Sequence, residues 1–288
     1  MRVNVGDIEL YVREQGAGRP LVLLHGGPGL DGSVFFPQIA ALAGDGVRLL
    51  AVDHRANGRS DAGDPARWTV PQMADDVEAL IRELDLDRPI VMGHSFGSFV
   101  AQHHMAEYGS AAGYVLMGTV DSVEELARID ERLAAFEPED LREQVTRSWA
   151  QEATVQTAEE SKQLMNDQLP FHMAEPEGAL VRSLQENVGA IVFRPEVLRH
   201  FASGGEYGLV DNRERLRQRS VPVLVLSGEL DRTTPAASAH RLAEILSDAD
   251  EVVIPGAAHM LLQEQPEAAL AALRAFLARV PAELGANA

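Results

Sequence analysis

The chain has 288 residues, 45% of them hydrophobic, and a formal charge of -19. That is apolar material for a large buried core, while the negative field repels phosphate backbones and anionic lipid and so argues against nucleic-acid and membrane-surface partners. Cysteine is absent, which excludes disulfides, thiolate metal sites and cysteine nucleophiles.

The N-terminal stretch MRVNVGDIELYVREQG alternates apolar and polar residues and lacks the apolar region of a signal peptide; no later segment reaches the unbroken apolar length of a membrane span. A cytoplasmic protein is expected. Short apolar runs bounded by glycine, proline or charge then recur: IELYV at 8–12, PLVLLH at 20–25, VRLLAVD at 47–53, PIVMGH at 89–94 and AGYVLMG at 112–118. Longer amphipathic stretches separate them. In VPQMADDVEALIREL, 70–84, residues Val70, Met73, Val77, Leu80, Ile81 and Leu84 fall at helical spacing, and proline in second place marks the helix start. This alternation predicts an α/β fold, a mostly parallel central sheet flanked by helices.

The rhythm breaks after Gly118. From Asp121 to about Gly205 the chain shows charged amphipathic segments and no strand signal: SVEELARIDERLAAF, PEDLREQVTRSWAQEA, AEESKQLMNDQLPF and RPEVLRHFASGG. Strand runs resume with PVLVLSG at 222–228 and EVVIPG at 251–256. We therefore expect a core domain of residues 1–120 and 206–288, with a helical cap inserted as 121–205. No internal repeat or low-complexity tract stands out, and the closing PAELGANA is expected to fray.

Chemistry concentrates at strand ends. Ser95 lies in Gly-His-Ser-Phe-Gly, after the run PIVMGH and ahead of the helical FGSFVAQHHMAEY. Strand, sharp turn and helix form the setting of a nucleophile elbow, and Gly93 and Gly97 then allow the close approach of strand and helix backbones. A serine hydroxyl needs a base to take its proton. Of nine histidines, His259 follows the last strand run, in PGAAHMLLQEQP, where it can reach the sheet's carboxyl edge. His25 and His94 are read as local packing or hydrogen-bonding residues, His103 and His104 as pointing away, and His54, His172, His200 and His240 as lacking a strand-end setting. The imidazolium needs a carboxylate; Asp231, in SGELDRTTP beyond the penultimate strand run, supplies it, with Asp121 in reserve. Two backbone donors should hold an oxyanion: the amide of Phe96, and that of Gly27 in LLHGGPG. Gly26 and Gly27 let that loop approach substrate, and the Gly27–Pro28 bond is expected to be cis. Asp53 and Arg55 are read as structural.

The ordered set HGGPG at 25–29, DHRANGRS at 53–60, GHSFG at 93–97, SGELDRTTP at 227–235 and PGAAHMLLQEQP at 255–266 resembles the α/β-hydrolase fold superfamily, in its proline iminopeptidase-like group, serine peptidase family S33. The resemblance implies hydrolysis through an acyl-enzyme without metal or organic cofactor, with Ser95, Asp231 and His259 as the triad and the amides of Gly27 and Phe96 as the oxyanion hole. The elbow reads GHSFG where the prolyl peptidases read Gly-Gly-Ser-Trp-Gly, and DHRANGRS stands where they read DQRGxGxS.

The substrate is expected to be a small molecule or short peptide. Aminopeptidase action needs a buried carboxylate to pair with the substrate's ammonium; Glu152, Glu175, Glu177, Glu186 and Glu206 are the candidates in the inserted segment. Gly26, Phe136, Trp149, Phe171 and Phe193 are candidate substrate-binding residues, with Met173 a further apolar lining residue. A carboxylesterase or lactonase stands beside the peptidase; a small-molecule receptor or haloperoxidase-like activity ranks lower. The sequence does not specify an oligomeric state.

Overall fold

The structure, a computed structural model, describes residues 1–186, 188, 191–204 and 211–280. Its strands are β1 (Arg2–Asn4), β2 (Glu9–Gly16), β3 (Arg19–Leu24), β4 (Val47–Val52), β5 (Ile90–His94), β6 (Gly113–Met117), β7 (Val223–Gly228) and β8 (Ala249–Ile254). They form an eight-stranded sheet in the order β1-β2-β4-β3-β5-β6-β7-β8. The β1–β2 and β2–β4 pairs are antiparallel; every pair from β4 to β8 is parallel. Each apolar run read from the sequence falls within or overlaps one of these strands. β1 had no such signal, being 3 residues long with a single buried side chain, Val3. β2 runs past the expected Val12 to Gly16 because its polar second half pairs with Arg48–Ala51 of β4.

Both faces of the sheet are covered, so successive side chains of one strand enter different cores. Val22, Leu24, Leu50, Val52, Val91, Leu116 and Val225 belong to one core, and Leu21, Leu23, Leu49, Ala51, Ile90, Met92, Val115, Leu224 and Leu226 to the other. Helix α1 (Val70–Glu83) buries Val70, Met73, Val77, Leu80 and Ile81 in the first core; Thr69 caps it by accepting from the Gln72 amide at 3.2 Å. It packs on α2 (Phe96–Glu107), which is buried on nearly every side and so lacks an amphipathic stripe.

Between β6 and β7 the chain makes α3 (Val123–Ala127), α4 (Ile129–Ala134), α5 (Glu139–Gln151), α6 (Ala158–His172), α7 (Ala179–Glu186), α8 (Pro195–Gly204) and α9 (Arg213–Leu216). No strand occurs there among the described residues. This excursion has a core of its own, built on Leu133, Phe136, Val145 and Phe171. α6 opens on a capping box of Thr157 and Glu160 and carries Pro170 in its last turn; the Asn166 carbonyl four residues earlier accepts from Gln185 Nε2 at 2.9 Å. Helices α10 (Ala236–Ile245), α11 (Leu261–Glu264) and α12 (Pro266–Arg279) complete the fold. Glu206 and the terminal PAELGANA lie outside the described residues.

The two residues read as structural have clear partners. Arg55 is fully buried and pairs with Asp76 at 2.6 Å and Asp7 at 2.9 Å. Asp53 accepts from the amides of Gly32 and Arg59, both at 2.8 Å. Removing the guanidinium strands a carboxylate in the core, so Arg55→Ala should cost about 3 kcal/mol or more of stability, read from the urea midpoint. A midpoint unchanged from wild type would show that Asp76 finds another partner.

Candidate active site

The turn from β5 to α2 sets Ser95 at φ 52° and ψ -120°. A β-carbon added to Gly93 would stand 2.1 Å from the Gly97 carbonyl oxygen, and one on Gly97 would stand 2.0 Å from that of Leu24. Strand and helix therefore meet backbone to backbone at the elbow, and the off-region conformation of Ser95 stores on the order of 1–3 kcal/mol. Surrounding bonds hold it: the Ser95 amide donates to the Met117 carbonyl at 2.9 Å, and Ser98 Oγ donates to the Ser95 carbonyl at 2.6 Å. Ser95 remains partly exposed.

The candidate acid and base, Asp231 and His259, come from the loops after β7 and β8. His259 Nδ1 lies 2.9 Å from Asp231 Oδ2, and both residues are buried. Asp231 Oδ1 accepts from the amides of Thr233 at 2.8 Å and Thr234 at 2.9 Å, and Oδ2 accepts from the Thr234 hydroxyl at 2.6 Å. Burial alone would raise this carboxyl; His259 and the Thr234 donors outweigh it and hold it below the ordinary range. The reserve acid has other partners: Asp121 accepts from Ser238 and is bound by Arg241 at 2.8 Å. His259 lies beside Gly118, whose hypothetical β-carbon would be 3.2 Å from its Cε1, next to the Met117 that binds the Ser95 amide.

The glycine loop after β3 closes on the same place. A β-carbon on Gly26 would stand 3.0 Å from that of Ser95. The cis peptides among the described residues are Phe36–Pro37 and Glu137–Pro138, so Gly27–Pro28 is trans, contrary to expectation; the loop turns through Gly27 at φ 60° and Gly29 at φ 88°. Phe96 opens α2, its ring edge-on to Phe201 of α8 at 4.9 Å.

A profile of the alpha/beta hydrolase fold matches residues 19–266. The chain belongs to that family. This hydrolase-fold chain is 28% identical to the 2-(acetamidomethylene)succinate hydrolase of Mesorhizobium japonicum over 96% of its own length and 94% of the relative's. Among solved structures it is similar to a thermophilic esterase from Thermogutta terrifontis (TM-score 0.71, 24% identity, 97% and 98% of the two chains). It is likewise similar to a proline iminopeptidase from Mycobacterium smegmatis (TM-score 0.73, 22% identity, 97% of each chain). These likenesses extend over the whole fold and do not single out the prolyl peptidase group.

Around the hydrolase-fold site, sequence reasoning missed a residue. His172, set aside for want of a strand end, arrives from α6: its ring centroid is 5.2 Å from that of His259, and its carbonyl accepts from the His259 amide at 3.0 Å. On the other side His94 stacks at 4.9 Å, with Nε2 3.0 Å from the His259 carbonyl oxygen. The protein displaces water from both rings and, with the nearby His259, pushes each down to about 3, so both are neutral near pH 7. The candidate substrate-binding aromatics divide. Phe136 and Phe171 meet edge to face at 5.2 Å inside the excursion's core; Trp149 bridges from Phe171, at 5.2 Å, to His172, at 5.7 Å. Met173 is buried beside Leu169 and Val181. Phe193 sits beside the glycine loop, flanked by Val192, whose amide donates to Asp31 at 2.8 Å, and Arg194, whose amide donates to the Gly29 carbonyl at 2.8 Å.

Of the acids named for amine recognition, Glu175, Glu177 and Glu186 are exposed. Glu152 follows α5 one turn after Trp149, is half-buried, and accepts from Gln168 Nε2 at 2.8 Å. Desolvation pushes its carboxyl up to about 7. The folded protein therefore binds the Glu152 proton more tightly than the unfolded chain does, and stability falls as pH rises from the ordinary carboxylate range through about 7. Glu152→Gln should match the wild-type Tm at pH 4 and exceed it at pH 8, as followed by circular dichroism; equal values at both pH settings would refute the raised affinity.

The described residues contain no helix long and apolar enough to cross a membrane, and no group of three or more His, Cys, Asp or Glu fit to hold a metal.

Proposed function

We propose that this protein is a cofactor-independent serine hydrolase that cleaves a small ester or amide through an acyl-enzyme on Ser95. The observation that carries this reading is the buried His259–Asp231 pair, 2.9 Å apart, delivered to the carboxyl edge of the sheet beside a strained Ser95 elbow. In the first half-reaction His259 takes the Ser95 proton as Oγ attacks the substrate carbonyl, and Asp231 holds the imidazole through Nδ1. The amides of Phe96 and Gly27 receive the oxyanion, and His259 returns the proton to the leaving oxygen or nitrogen. Water, activated by the same base, then frees the acid product. Helices α3–α8 of the excursion serve as the cap that selects the acyl group, with Phe193 and Trp149 at its inner face. The names of similar proteins, an esterase, a succinate-derivative hydrolase and a proline iminopeptidase, agree with this chemistry.

A second reading, the aminopeptidase, draws support from Glu152: a desolvated carboxylate bound to the neutral amide of Gln168 is suited to receive a substrate ammonium. Initial rates on p-nitrophenyl butyrate and L-proline p-nitroanilide, with Ser95→Ala as control, test both readings. Turnover of the butyrate ester alone supports the esterase side. Preference for the prolyl anilide, lost in Glu152→Gln, supports the aminopeptidase. Activity that survives in Ser95→Ala overturns the nucleophile assignment.

A further inference from the structure

The end of α6 is bound to both loops that carry the acid and the base. An α-helix leaves its last carbonyls without partners of its own, and here the catalytic loops supply them. His172 O accepts from the His259 amide at 3.0 Å, and Met173 O accepts from Arg232 Nη1, beside Asp231, at 2.8 Å. The chain leaves the helix at Met173 in an extended conformation, and the next amide, Ala174 N, donates to Glu264 Oε1 at 2.6 Å. The other oxygen of Glu264 accepts from Ala258 N at 2.9 Å, one residue before the base. The His172 ring adds a side-chain link: Nδ1 lies 2.7 Å from the hydroxyl of Thr233, whose amide donates to Asp231 Oδ1 at 2.8 Å. One residue of the excursion thus touches the base by ring and backbone and the acid through Thr233.

We propose that His172 is a positioning residue for His259, holding the base's ring in register with Asp231 from outside the sheet. This rests on the serine-hydrolase reading for its consequence in turnover, but its physical content is independent of any substrate. His259 is closed between His94 at the end of β5 and His172 at the end of α6. Asp231 faces its Nδ1, while Glu264 accepts from the amide of the preceding Ala258 and Arg232 donates to the Met173 carbonyl that follows His172. A neutral ring on the α6 side keeps water from the imidazole without adding charge. It leaves Asp231 as the carboxylate that compensates the developing imidazolium, and the negative end of α6 points the same way.

The test is to titrate the His259 ring by NMR in the wild type, His172→Ala, His172→Phe and Phe136→Leu, and to measure kcat and KM against pH for p-nitrophenyl butyrate with the same proteins. Removal of the His172 ring admits water to one face of His259 and favours its charged form. In His172→Ala the His259 midpoint should therefore rise by about half a unit or more. The acid limb of kcat/KM should move with it, and kcat should fall about tenfold, with KM within about threefold. His172→Phe restores the covering ring without the Thr233 link and should return the midpoint towards wild type, which also guards against a poorly folded alanine variant. Phe136→Leu loosens the excursion's core and the Arg232 guanidinium 5.3 Å over its ring while leaving the His172 ring in place, and should leave the midpoint unchanged. A wild-type midpoint in His172→Ala, or an equal shift in Phe136→Leu, overturns the proposal. If wild type turns over neither the ester nor L-proline p-nitroanilide, the hydrolase reading fails, while the NMR titration still decides the positioning role.

Discussion

Ser95→Ala is expected to lower kcat on a turned-over ester by roughly 10,000-fold or more while leaving the fold intact. The large effect follows from the loss of the attacking atom, since no neighbour can replace it: Ser98, the nearest hydroxyl in sequence, donates to the Ser95 carbonyl and contacts Thr119. The intact fold follows from the backbone bonds of the elbow, which do not involve Oγ: the amide is held by Met117 and the carbonyl by Ser98. Far-ultraviolet circular dichroism and the urea midpoint check the second half. Rates within tenfold of wild type would remove Ser95 from the reaction.

Asp231→Asn is expected to cost about 10,000-fold in kcat as well, by a different route. Asp231 Oδ1 already accepts from two backbone amides, so an asparagine would keep its oxygen there and turn its NH2 group towards His259 Nδ1 and the Thr234 hydroxyl. The imidazole would then have to present an unprotonated Nδ1, which puts its proton on the nitrogen meant to receive one from Ser95. KM should change little, because the carboxylate is buried behind the ring. A kcat within tenfold of wild type would mean that another acid, with Asp121 the first to test, supports the base.

Most of the sheet could be read from the sequence because β3 to β7 are buried on both faces and appear as continuous apolar runs, whereas β1 depends on pairing with β2 and carries no pattern of its own. The positions of Ser95, Asp231 and His259 were legible for a related reason: each sits in the turn or loop that follows a strand, where spacing along the chain translates into proximity at one sheet edge. His172 was not. It reaches His259 through the packing of a helix far from any strand end, and its local signal is the proline two residues earlier that closes α6. Glu152 could not be separated from the other acids of the excursion because amphipathic periodicity does not say which carboxylate meets Gln168 of α6. The trans Gly27–Pro28 bond shows the same limit at smaller scale, since Gly27 and Gly29 supply the turn by their own dihedral angles.

The helical excursion leaves the sheet after β6 and returns at β7, and those two strands are direct parallel neighbours, paired from Tyr114–Val223 to Met117–Leu226. Its length is therefore free of the sheet's register, and lengthening such a connection adds entropy cost only slowly. Descendants of this chain could trade the segment for another and keep the Ser95, Asp231 and His259 loops unaltered, on conditions set by its contacts with the core. A newcomer must again end a helix over the β8 loop, because the backbone amide of His259 would otherwise be left buried with no acceptor. Diversification of substrate would then be held back at that splice, and again where Val192 and Arg194 bind Asp31 and the Gly29 carbonyl.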